Sequence, residues 1–295
     1  MIKSIFKRIF GYKFHMRNIL NPFIGLQVNS LGDYQGILEC KRETQLIVSL
    51  TSYRERFKDL PITIYSILNQ SLKPDRVILW LDEEFEDLTN LPYEITQFIK
   101  NGLEIRFVKD IGSYTKAIYA FNEFGNSIIV TADDDIYYPA NWLKKLYLSY
   151  VSNQNDIQVH RAHRVKVENA TILPYEKWEK HVKEETARFD NFLTGVGGVL
   201  YPPNCFSKEV LRADIFLKYA PKADDLWFWV MALVHNRKIR VVQNHNKSLI
   251  CSNIFKQLFN DNLYKQNKNG GNDTQLEKLL VFYKRNIFQK INNIN

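Results

Sequence analysis

Cysteine, secretory signals and long apolar runs are scarce or missing in this chain, and each absence excludes a class of protein. The three cysteines among 295 residues, Cys40, Cys205 and Cys251, are widely spaced and odd in number. They predict neither a disulfide framework nor a zinc site, and they fit a reducing cytoplasm. The sequence contains no apolar run of about 18 residues, the length needed to cross a bilayer. Its amino terminus lacks the apolar core and small-residue cleavage site of a secretory signal.

Acidic residues are missing from the first 32 positions, which carry five basic ones. Residues 256–295 carry a further net charge of +4. Because the whole chain has a net charge of +8, residues 33–255 have a net charge of −1. A nucleic-acid-binding domain usually has a basic face on its folded part. A positive excess in the tails instead favours an anionic membrane surface as partner and argues against nucleic acid.

The amino-terminal segment also has an apolar stripe at helical spacing. It predicts a basic amphipathic helix over residues 1–20 that could lie in a membrane interface. The same stripe could instead pack on the protein's own domain or on another subunit. Its members are Ile2, Ile5, Phe6, Ile9 and Phe10.

Strand and helix patterns alternate from residue 45 onward, which predicts an α/β protein with a mostly parallel sheet and helices on both faces. Ligands of such sheets bind at the carboxyl ends of the strands, where Thr51, Asp82, Asp110 and Asp133 follow. We predict one continuous domain over residues 33–255, preceded by the basic segment 1–32 and followed by a basic helical tail, 256–295. The predicted strands are 45–50, 76–81, 103–108, 127–132 and 238–243, and the predicted helices are 57–69, 94–101, 115–124, 142–150 and 224–234.

Three consecutive aspartates, Asp133–Asp135, follow the apolar run Ser127–Ala132. Like charges held together at a strand end repel one another unless a cation lies between them, and a plain acidic turn is the alternative. Carboxylate oxygens suit Mg²⁺ or Mn²⁺ rather than zinc. Because such ions commonly hold a diphosphate, the triplet predicts an enzyme that acts on a nucleotide-activated substrate.

Four motifs taken together resemble the GT-A fold glycosyltransferases, in particular the family 2-like bacterial enzymes that build surface polysaccharides. The resemblance covers roughly residues 45–245. It implies a nucleotide-sugar donor, taken as UDP-linked, a divalent Mn²⁺ or Mg²⁺ ion, and inverting transfer to a glycan or lipid-linked acceptor. It also implies a cytoplasmic protein bound peripherally to the inner face of the cell membrane. The motifs are Ile47–Arg54, Val77–Asp82, Ala132–Asp135 and Ala223–Phe228.

On this resemblance, Asp135 binds the metal directly and Asp133 contacts ribose or a metal-bound water, with Asp134 also on the donor side. The metal offsets the negative charge that grows on the leaving diphosphate. His245, after the last predicted strand, is the candidate third metal ligand. The Asn272-Asp273 loop could close over the donor.

The resemblance assigns five further residues to the donor. Tyr53 could stack on the base, and Arg56 could pair with phosphate through its planar guanidinium. The alternatives are a surface loop for Tyr53 and Arg56, a helix cap for Asp82 and a solvated side chain for Lys116. The five residues are Thr51, Tyr53, Arg56, Asp82 and Lys116.

The pair Asp224-Asp225 opens a predicted aromatic-rich helix and is the candidate catalytic site, with Asp225 as general base. Nearby apolar rings would raise the pKa of a carboxyl group and make it a better base. Helix capping by the same carboxylates is the alternative. Gly197, Gly198 and Trp227 are assigned to the acceptor site.

Two histidines, His160 and His163, could bind a metal if they lay on a helix, but the pattern favours residues that flank a strand and pair with backbone. Two other function classes stay open: a metal-dependent sugar nucleotidyltransferase and a non-catalytic sugar-binding protein. The acidic pair argues against the second. The absence of glycine from Thr51–Arg56 argues against the first, which usually has a glycine-rich basic loop there.

Overall fold

The computed structural model describes residues 34–169, 171–242, 250–251, 271–283, 287 and 290. Within them the helices are α1 (Leu60–Leu68), α2 (Tyr93–Thr96), α3 (Thr115–Phe124), α4 (Trp142–Ser152), α5 (Ala213–Tyr219), α6 (Asp224–Val234) and α7 (Asn272–Phe282). The strands are β1 (Leu46–Thr51), β2 (Arg76–Asp82), β3 (Leu103–Val108), β4 (Ile128–Ala132), β5 (Ile136–Tyr137), β6 (Ile157–Val159), β7 (Ala162–Arg164), β8 (Val167–Glu168), β9 (Thr171–Ile172), β10 (Asn191–Leu193), β11 (Val199–Tyr201), β12 (Ile239–Val241) and β13 (Ile250–Cys251).

A seven-stranded sheet with the order β12-β6-β11-β4-β1-β2-β3 organises the described residues. All neighbouring pairs are parallel except those that β11 makes with β4 and β6. The register aligns Leu50 with Ala132 and Thr51 with Trp80, so β1, β2 and β4 end side by side. The predicted α/β architecture with a mostly parallel sheet is confirmed.

The apolar core lies on both faces of this sheet because the strands are hydrophobic on both sides. On β1, Ile47 belongs to the cluster on one face, and its neighbours Leu46 and Val48 belong to the cluster on the other. Helix α3 packs on the first face, and α1 and α4 contribute to the second. This two-sided burial explains why the strands read as continuous apolar runs rather than alternating ones.

Most of the predicted elements are present, and the differences have local causes. Helix α1 begins at Leu60 rather than at residue 57, because the preceding chain forms a 3₁₀ turn over Arg54–Arg56 and Pro61 suits a first helical turn. The helix predicted over 94–101 is split into α2 and a 3₁₀ turn, and it ends at Gly102 with φ of 105°.

The two predicted basic tails lie largely outside the described residues. The amino-terminal segment 1–32 is outside them entirely. The described part of the carboxyl-terminal tail contains α7, whose Leu276 and Leu279 are buried in the same cluster as α6. None of the helices in the described ranges has the length and apolar character to cross a membrane.

Candidate functional site

The aspartate triplet and the loop after β1 meet at the carboxyl end of the sheet, as the strand order predicts. Asp133, Asp134 and Asp135 follow β4, and Ser52 follows the adjacent β1. The Ser52 hydroxyl donates a hydrogen bond of 2.6 Å to Asp134 Oδ2. Three neighbouring aspartates therefore project from one point of the fold, but their surroundings differ.

Asp134 is buried and anchors the loop. Its Oδ1 accepts a 2.6 Å hydrogen bond from Arg56 Nη1, and its main-chain oxygen accepts one of 2.9 Å from Thr63 Oγ1. Burial raises the pKa of the Asp134 carboxyl, although the charge of Arg56 opposes the shift. The structure thus gives Asp134, predicted on the donor side, a network of internal partners.

Asp135 faces the opening of the site, with 29% of its side chain exposed, and its Oδ2 lies 2.9 Å from Arg56 Nη1. Burial raises the pKa of Asp135 to about 6, with Arg56 lowering it and the two neighbouring aspartates raising it. Arg56 also donates a 3.0 Å hydrogen bond from Nε to the hydroxyl of Tyr53, which is 49% exposed. The guanidinium of Arg56 therefore partly neutralises the acidic turn.

Lys116 joins the triplet to the second acidic pair. Its Nζ donates a 2.6 Å hydrogen bond to Asp133 Oδ1 and lies 3.2 Å from Asp224 Oδ2, an ion-pair contact without hydrogen-bond alignment. The side chain is only 7% exposed. Burial by itself would lower the pKa of Lys116, but the surrounding aspartates outweigh it and raise that pKa well above its usual value. This lysine is an internal cation rather than a solvated one.

Asp225, at the start of α6, completes the cluster. Its Oδ1 accepts a 2.9 Å hydrogen bond from the main-chain nitrogen of Gly195. Burial raises the pKa of Asp225 to about 8; the charges of Asp224 and Asp133 add to the shift, and Lys116 opposes it. Asp225 is half-buried, so part of the residue stays accessible. A carboxyl group with these properties can exchange a proton near neutral pH.

Gly195 lies at the centre of this cluster. A Cβ atom built on it would be 3.1 Å from Asp225 Oδ1, 3.2 Å from Lys116 Nζ and 3.7 Å from Asp133 Oδ1. The sequence analysis assigned Gly197 and Gly198 instead of Gly195. The glycine run was a visible signal, but the sequence does not show which member faces the aspartates.

Ser52 and Tyr138 are the other site residues that the sequence analysis missed. The Asp133 main-chain nitrogen donates a 2.8 Å hydrogen bond to the buried Tyr138 hydroxyl. Ser52 stands between two residues that were selected, and Tyr138 follows the triplet by three positions. Nothing in the sequence around Ser52 or Tyr138 distinguishes these residues from ordinary loop or core residues.

The three residues predicted for the acceptor have structural roles here. Gly197 accepts a 2.8 Å hydrogen bond from Trp142 Nε1, and a Cβ on Gly198, with φ of 83°, would meet the Trp142 ring at 2.4 Å. These glycines let the chain pass Trp142 closely. Trp227 is 0% exposed and donates its indole N–H to the Val210 carbonyl at 3.1 Å. It is a core residue and presents no face to a sugar.

Thr51 and Asp82 lie at adjacent strand ends, as predicted. The Thr51 hydroxyl donates a 2.9 Å hydrogen bond to the Trp80 carbonyl. Asp82 Oδ1 caps the 3₁₀ turn Glu83–Phe85 by accepting from the Glu84 main-chain nitrogen at 3.1 Å. This cap uses one carboxylate oxygen of a partly exposed side chain, so the donor assignment of Asp82 stays a prediction.

The histidines predicted from the sequence contact backbone atoms or fall outside the described residues. His160 Nε2 is 3.0 Å from the Trp142 carbonyl oxygen, and His163 Nδ1 accepts from the His181 main-chain nitrogen at 3.1 Å. Both flank or belong to strands and pair with backbone, as expected. His245 falls outside the described residues. Asp273 lies in the first turn of α7, not in a loop, and its Oδ1 accepts from the Tyr175 main-chain nitrogen at 2.7 Å.

The fit of the site to a divalent ion depends on its oxygen ligands. In the parts of the chain that the structure describes, no three His, Cys, Asp or Glu side chains form a group that could hold a metal ion by themselves. Asp133 and Asp135 are each partly exposed, at 25% and 29% of the side chain. Such carboxylates suit Mg²⁺ or Mn²⁺ with further oxygens supplied by a bound diphosphate. Asp133 and Asp135 therefore fit such an ion when a diphosphate supplies its other oxygen ligands.

Several solved structures share part of this architecture at low similarity. TarS of S. aureus (residues 1–349, in complex with UDP) has 15% identity and a TM-score of 0.44 over 70% of this chain, which spans 59% of the TarS chain. A CMP:2-keto-3-deoxy-manno-octonic acid synthetase complexed with CTP has 11% identity and a TM-score of 0.43 over 68% of this chain and 89% of its own. The inositol-1-phosphate CTP transferase from T. maritima has 12% identity and a TM-score of 0.43, with coverages of 78% and 97%.

No curated protein matches the chain closely enough to count as a relative. The profile described as Glycosyl transferase family 2 matches residues 48–212, which span β1 to the chain just before α5 and include the aspartate triplet, Lys116 and Gly195. This match covers more than half of the sequence, and the chain therefore belongs to glycosyl transferase family 2.

Proposed function

We propose that this family 2 protein transfers a sugar from a nucleotide-sugar donor, UDP-linked, to a hydroxyl group of a glycan or lipid-linked acceptor, with inversion at the anomeric carbon. The observation that carries the proposal is the continuous cluster from Asp133 through Lys116 to Asp224 and Asp225. It connects a strand end suited to a diphosphate with a carboxyl group suited to proton transfer.

The proposed reaction is a single displacement. The acceptor hydroxyl gives its proton to the Asp225 carboxylate while its oxygen forms a bond to the anomeric carbon. The bond from that carbon to the diphosphate oxygen breaks, and the nucleoside diphosphate leaves with the electron pair. The N–H of Gly195, at 2.9 Å from Asp225 Oδ1, fixes the orientation of the base.

Asp133 and Asp135 would hold the divalent ion together with oxygens of the donor diphosphate. The ion would supply positive charge against the charge that develops on the leaving group. Lys116, 2.6 Å from Asp133 Oδ1, adds a second positive charge beside that carboxylate. Tyr53, Arg56, Thr51 and Asp82 line the strand ends on the donor side.

A panel of nucleotide sugars and nucleotides, each with Mn²⁺, tests the donor class through thermal stabilisation. We expect one nucleotide sugar to raise the midpoint of unfolding more than the matching nucleoside triphosphate does, and the increase to require the metal. Stabilisation by CTP alone, without any nucleotide sugar, would favour a nucleotidyltransferase.

Replacing Gly195 by alanine should lower turnover by about 10- to 100-fold while the protein stays folded, because the added methyl group displaces Asp225 and Lys116 from their contacts. The measurement is the rate of sugar transfer together with the midpoint of thermal unfolding. Gly125→Ala is the matched control, since its Cβ would meet a carbonyl oxygen at a similar 3.2 Å at the end of α3, away from the aspartates. Equal rates for the two variants would remove Gly195 from the site.

We also propose that the protein is cytoplasmic and binds the inner face of the cell membrane through residues 1–20. The five basic residues and the apolar stripe of this segment support the proposal. Deleting residues 1–20 should release the protein from anionic vesicles, and high salt should weaken binding of the full chain because it screens surface charge. Neutral vesicles are the control. Equal binding of both proteins to anionic vesicles would contradict this proposal.

A further inference from the structure

A group of basic side chains lies beside the strand that leads to Gly195. Arg161 precedes β7, and the segment 179–182 runs antiparallel to β7 on its other side. Glu179 pairs with Arg164, and the Val182 main-chain nitrogen donates to the Ala162 carbonyl at 3.0 Å. This pairing brings Lys180 and His181 alongside Arg161 and His163. We call Arg161, Lys180 and His181 the basic cluster.

The basic cluster is connected to the catalytic aspartates through β10. Strand β10 pairs with β7 with Leu193 opposite Ala162, and the Thr194 main-chain nitrogen donates to the Arg161 carbonyl at 3.2 Å. The next residue along the chain is Gly195, which holds Asp225. Arg161 also lies against Gly197, where a Cβ would be 3.0 Å from the Arg161 Cβ. Arg161 therefore lies beside the glycine turn that holds Asp225, while Lys180 and His181 lie along the opposite side of β7 from β10.

The members of the cluster act on one another as like charges. The pKa of Lys180 is lowered to about 8, first by burial and then by the charge of Arg161, while Asp273 and Glu176 oppose the shift. Burial also lowers the pKa of His181, with Arg161 and Lys180 as the next causes, and the same charges contribute to a pKa of about 3 for His163. A bound anion would relieve this repulsion.

Two residues of the basic cluster are accessible to solvent and are held in place by neighbouring aromatic rings. Lys180 and His181 are exposed. Lys180 Nζ donates a 2.6 Å hydrogen bond to the Tyr175 carbonyl and lies 3.3 Å from the centre of the Tyr175 ring. The ring of His181 is 5.4 Å from that of His163. The Lys180 ammonium is thus held over an aromatic face.

We propose that the basic cluster binds an anionic group of the acceptor, a phosphate or a carboxylate. This inference rests on the proposed function and specifies its acceptor class. Arg161 and Lys180 supply the charge, and His181 gains a proton when the anion binds. A negatively charged acceptor is thereby selected over a neutral sugar of the same shape.

The test uses the full chain with glucose 6-phosphate, glucuronic acid and glucose as probes, in the presence of saturating UDP and Mn²⁺. Binding is followed by the ring proton resonance of His181, assigned by its loss in His181→Gln. We expect a saturable shift with one or both anionic probes and none with glucose. Whether phosphate or carboxylate gives the larger shift identifies the anion.

Lys180→Gln and Arg161→Gln should each weaken binding of the anionic probe at least fivefold, and Arg161→Lys should restore part of it. Lys183→Gln, at an exposed position in the same loop, is the matched control and should bind as the unaltered protein does. Equal shifts with glucose, or unchanged binding in both glutamine variants, would each overturn the inference. Metal-dependent hydrolysis of the nucleotide sugar by these variants should persist, and its persistence would leave the proposed function standing if anion binding fails.

Discussion

Replacing Asp225 by asparagine should lower the turnover of sugar transfer by about 100-fold or more, the scale of a lost general base. Donor affinity should change little, because this residue acts on the acceptor hydroxyl and not on the diphosphate. The variant should be at least as stable as the parent protein, since the amide removes a carboxyl group whose pKa is raised by burial and by Asp224 and Asp133. The measurements are steady-state transfer rates, donor affinity and thermal unfolding.

Two other aspartates serve as comparisons for Asp225. Asp214, exposed in the first turn of α5 and paired with Arg212, is the matched control, and Asp214→Asn should leave turnover unchanged. Asp224→Asn should cost less turnover than Asp225→Asn and more acceptor affinity. A larger loss of turnover at Asp224 would reverse the assignment within the pair. If neither variant slows transfer, the pair acts only at the start of the helix, and the base is another group.

The pH dependence of transfer provides a further check on Asp225. Because the pKa of Asp225 is raised to about 8, the carboxyl group is mostly protonated at lower pH and cannot accept a proton. The apparent second-order rate for the acceptor should therefore rise with pH up to about 8 and then level off. A rate that is flat between pH 6 and 8 would be inconsistent with this base.

Replacing Asp135 by asparagine should remove most of the metal-dependent activity and weaken donor binding, with little loss of stability. Asp135 has the most exposed side chain of the triplet, and its contact with Arg56 is shared with Asp134. Metal binding by the parent protein should weaken as the pH falls through about 6. The pKa of Asp135 is raised to about 6, so its carboxylate becomes protonated below that pH and no longer binds the ion. The measurements are Mn²⁺ titration and transfer with and without a chelator.

Asp134→Asn separates the anchoring role from the metal role. It should lower the free energy of unfolding by about 1–3 kcal/mol, because the amide cannot accept from both Ser52 and Arg56 and a buried donor loses its partner. If Asp135→Asn and a chelator both leave turnover intact, the metal mechanism is wrong. If Asp134→Asn changes metal affinity without changing stability, the two roles are reversed.

The sheet was predictable because its signals are local. Each parallel strand is a short apolar run bounded by turn residues, and the polar residues that follow are brought together by the parallel arrangement itself. The bounds of β3, α3 and α6 match those predicted from the sequence. Thr51, Asp82 and Asp133 could therefore be placed at one edge without knowledge of any contact.

The role of each side chain within the site was less predictable because it depends on contacts between distant parts of the chain. Sequence order does not show that Asp134 turns inward to Ser52 and Arg56 while Asp135 faces outward. It also does not show that Trp227, in an aromatic run beside the acidic pair, is buried against Val210. The position of each residue on α6 decides whether its side chain is accessible. Asp225 lies at the accessible start of the helix, and Trp227 lies on its buried side.

Lys116 illustrates the same limit. A lone lysine is usually solvated, and only the packing of α3 against β1 and β4 places it between two acidic groups. Residues 1–20, by contrast, have a sequence pattern that predicts membrane binding, and the vesicle experiment tests that prediction.

The measurement that tests the central claim most directly is ³¹P NMR of the phosphorus-containing products. The protein is incubated with the nucleotide sugar that stabilises it, Mn²⁺ and an acceptor mixture, and the Asp225→Asn and Asp214→Asn variants are assayed in parallel. A glycosyltransferase with Asp225 as base predicts release of the nucleoside diphosphate by the parent protein and by Asp214→Asn, with release slowed at least 100-fold in Asp225→Asn. Formation of pyrophosphate in a parallel incubation with a nucleoside triphosphate and a sugar phosphate, with no nucleoside diphosphate released from any nucleotide sugar, would contradict the account.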